Sequence, residues 1–228
     1  MFNFSNLSEQ NFSSNAGAYL RPYDIYTVNL TNIEKTEITG KDGTNYPVIA
    51  LEFTGVGDNK GTFTTNVFIP NKESDMERRT LKNSNGHESQ VPSNFETFQF
   101  TLMQIVHALN PAGEEKIKAN ASKIKTIDQF IDLILKALVG KEKVETNLKL
   151  VGRNNGGVIY AALPNSCGIN KKGEIFPTNF IGPKETLFFS NYEITQQKQY
   201  RNAKPTNMDK EEDVADKSND VDLDGIEF

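Results

Sequence analysis

Cations and aromatic rings hold most of the positions in this chain at which a side chain could do chemistry. Lys60, Arg78, Arg79, Lys171 and Lys172 fall in turn-like or loop-like segments. Lys149 and Arg153 lie on the strand face opposite Leu148 and Leu150, and Tyr46, Phe68 and Tyr160 stand on strand-like runs. A flexible polyanion carrying flat bases asks for this mixture: cations follow the phosphates, and each base stacked on an aromatic face contributes about 1–3 kcal/mol. The same rings also suit packing in or behind a core. Strand parity changes face at a single bulge, so both readings of Tyr46, Phe68 and Tyr160 stay open.

A catalytic inventory is thin. His107 sits at the end of a helix-like run, where packing or capping explains it, and His87 lies in an Asn- and Ser-rich loop. Neither is placed near the single cysteine, Cys167, in a nucleophile pattern. One cysteine forms no internal disulfide framework and no thiolate-built zinc site. There is no phosphate-binding loop of the G-x-x-x-x-G-K-[ST] type, and Gly55-Val56-Gly57 lies between two strands instead of leading into a helix. Asp222-Leu223-Asp224-Gly225 lacks the remaining ligands of a calcium loop. The expectation is a non-enzyme with no cofactor and no metal.

The elements that must position these residues are read from periodicity. Tyr26, Val28 and Leu30 alternate with Thr27, Asn29 and Thr31, giving a long first strand that continues to Ile38. Asp42-Gly43 supplies a tight turn. A second strand, about Tyr46–Thr54, puts Ile49, Leu51 and Phe53 on one face and Tyr46, Val48 and Ala50 on the other; a third, about Thr62–Ile69, separates Phe63, Thr65 and Val67 from Asn66 and Phe68. Residues 71–92 read as a polar loop. Ser93–Glu96 and Thr126–Gln129 are capping boxes that open two helices, the first stopped at Asn110-Pro111 and the second followed by Gly140. Strands return at 144–151 and at Val158–Leu163, joined through Arg153–Gly157, with further strand-like pieces at Ile175–Ile181 and Leu187–Glu193 and a polar linker to Pro205.

The last twenty residues differ from the rest. From Asp209 they carry nine carboxylates against Lys210 and Lys217, a net −7; set against −5 for the whole chain, this leaves residues 1–208 at +2. Blocks of like charge stay disordered and serve as interaction tails. Solubility alone does not require Ile226 and Phe228 at the extreme end. The expected organisation is a binding domain over residues 1–205, with an N-terminal arm, and a disordered acidic tail over 206–228. No apolar run approaches bilayer-spanning length and the N-terminus has no signal-peptide pattern, so a soluble cytoplasmic protein with no membrane partner is expected.

Three strands, a helical insert and a two-stranded hairpin form the element order of the oligonucleotide/oligosaccharide-binding (OB) fold, a five-stranded barrel with helices between strands three and four. The expected class is therefore mainly β, an OB-fold-like barrel with extra strands and a disordered acidic tail. That order over residues 23–163, with a tail ending in Glu227-Phe228, resembles the single-stranded DNA-binding replication proteins of tailed bacteriophages. Bacterial relatives finish Pro-Phe, and this chain has no Pro there. The resemblance implies a protein that coats single-stranded DNA in replication, recombination and repair without sequence specificity, in the host bacterial cytoplasm. It implies that Asp222, Asp224, Ile226, Glu227 and Phe228 recruit replication proteins such as a DNA polymerase or helicase-primase, and that the tail competes with DNA for the basic groove. For residues 71–92 and 164–208, walling that groove and forming a homodimer contact both stay open. The alternative is a virion-associated structural or assembly protein with an acidic interaction tail; a nuclease or enzyme accessory is disfavoured by the sparse catalytic inventory.

Overall fold

The computed structural model describes residues 19–202, apart from 59, 83–85 and 87. The arm, His87 and the whole acidic tail, with Asp222, Asp224, Ile226, Glu227 and Phe228, lie outside the described residues.

The chain is mainly β, organised on one six-stranded antiparallel sheet with four α-helices. The strands are β1 (Asp24–Thr39), β2 (Asn45–Gly55), β3 (Thr62–Phe68), β6 (Glu145–Asn155), β7 (Val158–Ala162) and β10 (Ile181–Gly182). Two small hairpins stand apart: β4 (Arg79–Lys82) with β5 (Glu88–Val91), and β8 (Cys167–Ile169) with β9 (Ile175–Pro177). The helices are α1 (Asn94–Leu109), α2 (Pro111–Ala119), α3 (Ile127–Leu138) and α4 (Asn191–Asn202).

Sheet order is β3-β2-β1-β6-β10, with β7 on β6. The first six residues of β1 pair with β6, from Asp24↔Leu150 to Asn29↔Glu145, and residues from Val28 onward pair with β2, from Val28↔Gly55 to Thr39↔Asn45, so Val28 and Asn29 are paired on both sides. The register shifts between Leu30 and Asn32, so Thr31 is a bulge. A bulge switches parity. Val28 and Leu30 face the core before it, and Ile33, opposite Leu51, does so after it.

One face of the sheet is closed by α1 and α3. Val28, Leu30, Ile49, Leu51, Phe53, Phe63, Leu148 and Leu150 meet Phe98, Leu102, Ile105, Ile131 and Ile134 in a single core. Helix α1 begins with the predicted reciprocal box: Ser93 Oγ accepts from Glu96 N–H at 3.0 Å and Glu96 Oε2 accepts from Ser93 N–H at 2.9 Å. At α3 only half of the predicted box forms, because Gln129 Oε1 accepts from Lys125 N–H instead of Thr126 N–H.

Four expectations are corrected. The barrel does not close among the described residues: β7 is five residues long and pairs only with Val151–Asn155 of β6, so no ladder joins it to β3. Tyr19 and Leu20 instead meet the start of β3, with Leu20 N–H donating to Thr62 O at 3.1 Å. Pro111 ends α1 but also opens α2, since a proline at the first helical position loses no hydrogen bond and Asn110 Oδ1 accepts from Gly113 N–H at 3.1 Å. Residues 71–92 contain the β4–β5 hairpin. Leu187–Glu193 is not a strand, and the expected linker is α4: Ser190 Oγ accepts from Glu193 N–H at 3.2 Å while Glu193 Oε2 accepts from Ser190 N–H at 2.6 Å, a reciprocal capping box.

Candidate nucleic-acid interface

The face of the sheet turned away from the core carries the candidate residues. On β1 it displays Ile25, Thr27 and Asn29 before the bulge and Asn32, Glu34, Thr36 and Ile38 after it, as the paired registers require. On β2 and β3 it displays Tyr46, Val48, Ala50 and Glu52 beside Thr64, Asn66 and Phe68.

At the far end of β1, Tyr46 and Phe68 meet edge to face with ring centroids 6.2 Å apart at 82°, over the buried Val48. Tyr46 donates its hydroxyl to Asp42 Oδ2 at 3.2 Å, which ties the ring to the β1–β2 turn. That turn is closed by Gly43 at φ 77° and by Thr44 N–H donating to Asp42 Oδ1 at 3.0 Å, and these hydrogen bonds hold the Asp42 carboxyl below its ordinary range. Phe68 is 47% exposed.

At the opposite end, Arg153 and Tyr160 are direct cross-strand partners on the β6–β7 hairpin, both exposed, with Tyr160 at 50%. The turn between them uses Gly156 at φ 60° and Gly157 at φ 88°, the two consecutive left-handed residues that a tight hairpin needs. Arg153, Val151 and Lys149 follow at every second residue, so they share one face.

Lys149 does not stand as expected. It is 1% exposed, and its Nζ donates to Phe188 O at 2.8 Å and to both oxygens of Glu193, at 3.1 and 3.2 Å. The Phe189 ring centroid lies 5.2 Å from the same nitrogen. Its parity was read correctly, but Phe188, Phe189 and Glu193 cover it, so the amine is not presented to a ligand in this conformation.

The remaining cations divide. Lys60 is exposed in the β2–β3 turn, beside the hydrogen bond from Gly55 N–H to Gly61 O. Arg78, Arg79, Lys171 and Lys172 gather around the two small hairpins. Arg78 is occupied: its guanidinium grips Glu96 at 2.6 Å and donates to Gly173 O at 2.9 Å, fastening the β8–β9 turn to the start of α1. That pairing holds the Glu96 carboxyl below its ordinary range. Arg79, Lys171 and Lys172 are exposed. Between the hairpins lies a groove of about 310 Å³ lined by Glu88, Ser89, Gln90, Ile169, Asn170 and Lys171.

The structure thus separates the predicted residues into two ends of one sheet face and a hairpin cluster. Middle positions of the face bear Glu34 and Glu52, with Glu52 held by the Thr31 hydroxyl at 2.9 Å. Sequence reasoning missed Glu193 and Tyr23. The signal for Glu193 was present, since Ser190-Asn191-Tyr192-Glu193 has capping-box spacing.

Among the described residues, no cluster of three His, Cys, Asp or Glu could hold a metal ion, and no helix is long and apolar enough to cross a membrane. Cys167 is buried, and burial pushes its thiol up, away from the reactive thiolate. Compared with protein-family models, with curated proteins and with solved structures, the chain matches none.

Proposed function

We propose that this chain binds single-stranded DNA along the outer face of its main sheet, as an OB-type module whose barrel is left open. Strand connectivity supports the reading: β3-β2-β1-β6-β7 with helices inserted between β3 and β6 is the OB order without the closing pair. In such folds the face of the second and third strands, with the turns after the first and fourth, receives oligonucleotides. The corresponding places here hold Tyr46, Phe68, Arg153 and Tyr160.

The observation that carries the proposal is the Tyr46–Phe68 ring pair on that face, with Phe68 47% exposed, matched by an arginine–tyrosine pair at its other end. Recognition would be of backbone charge and base planes, and so indifferent to sequence. The acidic tail would recruit replication proteins such as a polymerase or helicase-primase, in the manner of the phage proteins the sequence resembles. Competition between fluorescent oligo-dT and unlabelled duplex tests this. Single strands should win, and Tyr46→Ala/Phe68→Ala should weaken them. Equal binding of duplex, or none at all, would favour the structural or assembly reading.

A further inference from the structure

The covered stretch of the outer face is held unlike the rest of the fold. Helix α4 buries none of its residues; Tyr192 is 73% exposed, and Phe188, just before the helix, is 74% exposed. Its described attachments are polar or aromatic: Lys149 to Glu193, Gln197 Nε2 donating to Tyr23 O at 2.6 Å, and the Tyr200 ring 5.8 Å from that of Tyr23. Removing two charges from water offsets most of the attraction between them, so a buried ion pair adds little net stability. A helix fastened this way, without apolar burial, detaches far more readily than one seated in the core.

Position gives the attachment a consequence. Lys149 lies opposite Ile25 of β1, and Arg153 lies four residues farther along the same face. Tyr46 and Phe68 lie beyond the bulge, near Ile38 and Thr36. The strap therefore crosses the face between its two candidate ends. Glu193 is also aimed: the capping box with Ser190 fixes its carboxylate so that both oxygens approach the lysine amine, as two oxygens of a phosphate would.

We propose that Lys149 is a concealed phosphate-binding residue and that Glu193, on a strap formed by residues 188–202, holds the place of a backbone phosphate until single-stranded DNA displaces it. The inference rests on the single-stranded DNA reading above. DNA binding breaks the Lys149–Glu193 pair, exposes the amine between the two ends of the face, and joins them into one track.

The test compares the full-length wild type, Glu193→Gln and Glu193→Gln/Lys149→Gln in oligo-dT titrations over a range of salt. Glu193→Gln should bind several-fold more tightly at nearly the wild-type log–log salt slope, because Lys149 meets the same phosphate in both complexes. The double variant should lose that phosphate, with a slope shallower than wild type by about 0.7. Amide exchange of residues 191–202 in the wild type should accelerate when oligo-dT is added. An unchanged affinity in a folded Glu193→Gln protein, or a wild-type slope in the double variant, overturns the strap; should Glu193→Gln fail to fold, unchanged wild-type exchange on DNA binding overturns it alone. If wild type and variants alike ignore oligo-dT, the binding reading itself fails, whereas a wild type that binds beside an unmoved Glu193→Gln loses only the strap.

Discussion

Helices α3 and α4 are both twelve residues long and lie over opposite faces of the same sheet, yet different forces hold them. Helix α3 buries Phe130, Ile131, Ile134 and Leu138, whereas α4 buries nothing and leans on one lysine–glutamate pair and a few hydrogen bonds. The first is a structural wall and the second a cover. A sheet closed by apolar helices on both faces would have no surface left for a ligand; a polar cover keeps one face accessible.

The widest gap between the two helices is expected in the core. Ile134→Ala, beneath α3, should cost about 2–5 kcal/mol in denaturant unfolding, the sum of lost transfer energy and a cavity. Lys149→Ala should cost roughly 2–3 kcal/mol by the same measurement, because it leaves the Glu193 carboxylate without its cation in a half-dry site, held only by Ser190 N–H. Replacing both members with apolar residues, as in Lys149→Met/Glu193→Leu, should recover most of that loss. If the double variant is as unstable as the single one, α4 is seated by something other than the pair.

On the open part of the outer face the readout moves from stability to affinity. Phe68→Ala should weaken oligo-dT by about 1–3 kcal/mol, one stacked base, and shift the melting temperature little. Equal losses of both would return Phe68 to a packing role.

A pH effect at the start of α1 is smaller. The Arg78 guanidinium beside Glu96 depresses its carboxyl, so the pair's contribution is present above the unfolded carboxylate value near ~4.3 and is lost as pH falls through the lower folded value. Glu96→Gln keeps the cap on Ser93 but loses the charge, and should flatten that acid limb by about 1 kcal/mol in pH-dependent unfolding. Smallest of all, Ile194→Ser on α4 should change stability by less than about 0.5 kcal/mol, where the same change in α3 would unfold much of the molecule.

Much of the scaffold was legible because its signals are local. Alternation placed β1, β2 and β3 within a residue or two and the start of β6, which runs four residues past its expected end to Asn155, and Ser93–Glu96 opened α1 at the predicted position. Faces on β2 and β3 followed from parity alone, and the bulge at Thr31 kept β1 in step by shifting one residue, a tertiary event with no local mark. The candidate site was less legible because burial depends on what lies above a strand. Lys149 had the right parity, but the segment that covers it comes some 40 residues later, as its bond to Glu193 shows. Arg78 read as a loop cation and proved to be a fastener, since its partners Glu96 and Gly173 are 18 and 95 residues away. Reading Ser190–Glu193 as a capping box would have replaced the expected strand with α4.

The central claim is that one face of this sheet is a track for a single nucleic-acid strand. β1 alone, at about 3.3 Å per residue over its 16 residues, spans roughly 50 Å. Titrating the intact chain with oligo-dT of increasing length is the most direct test. The account predicts that affinity climbs with length until the oligonucleotide reaches from the Tyr46–Phe68 pair to Arg153, and that duplex of equal length binds more weakly. Affinity that is indifferent to length, or absent for dT at low salt, would contradict it.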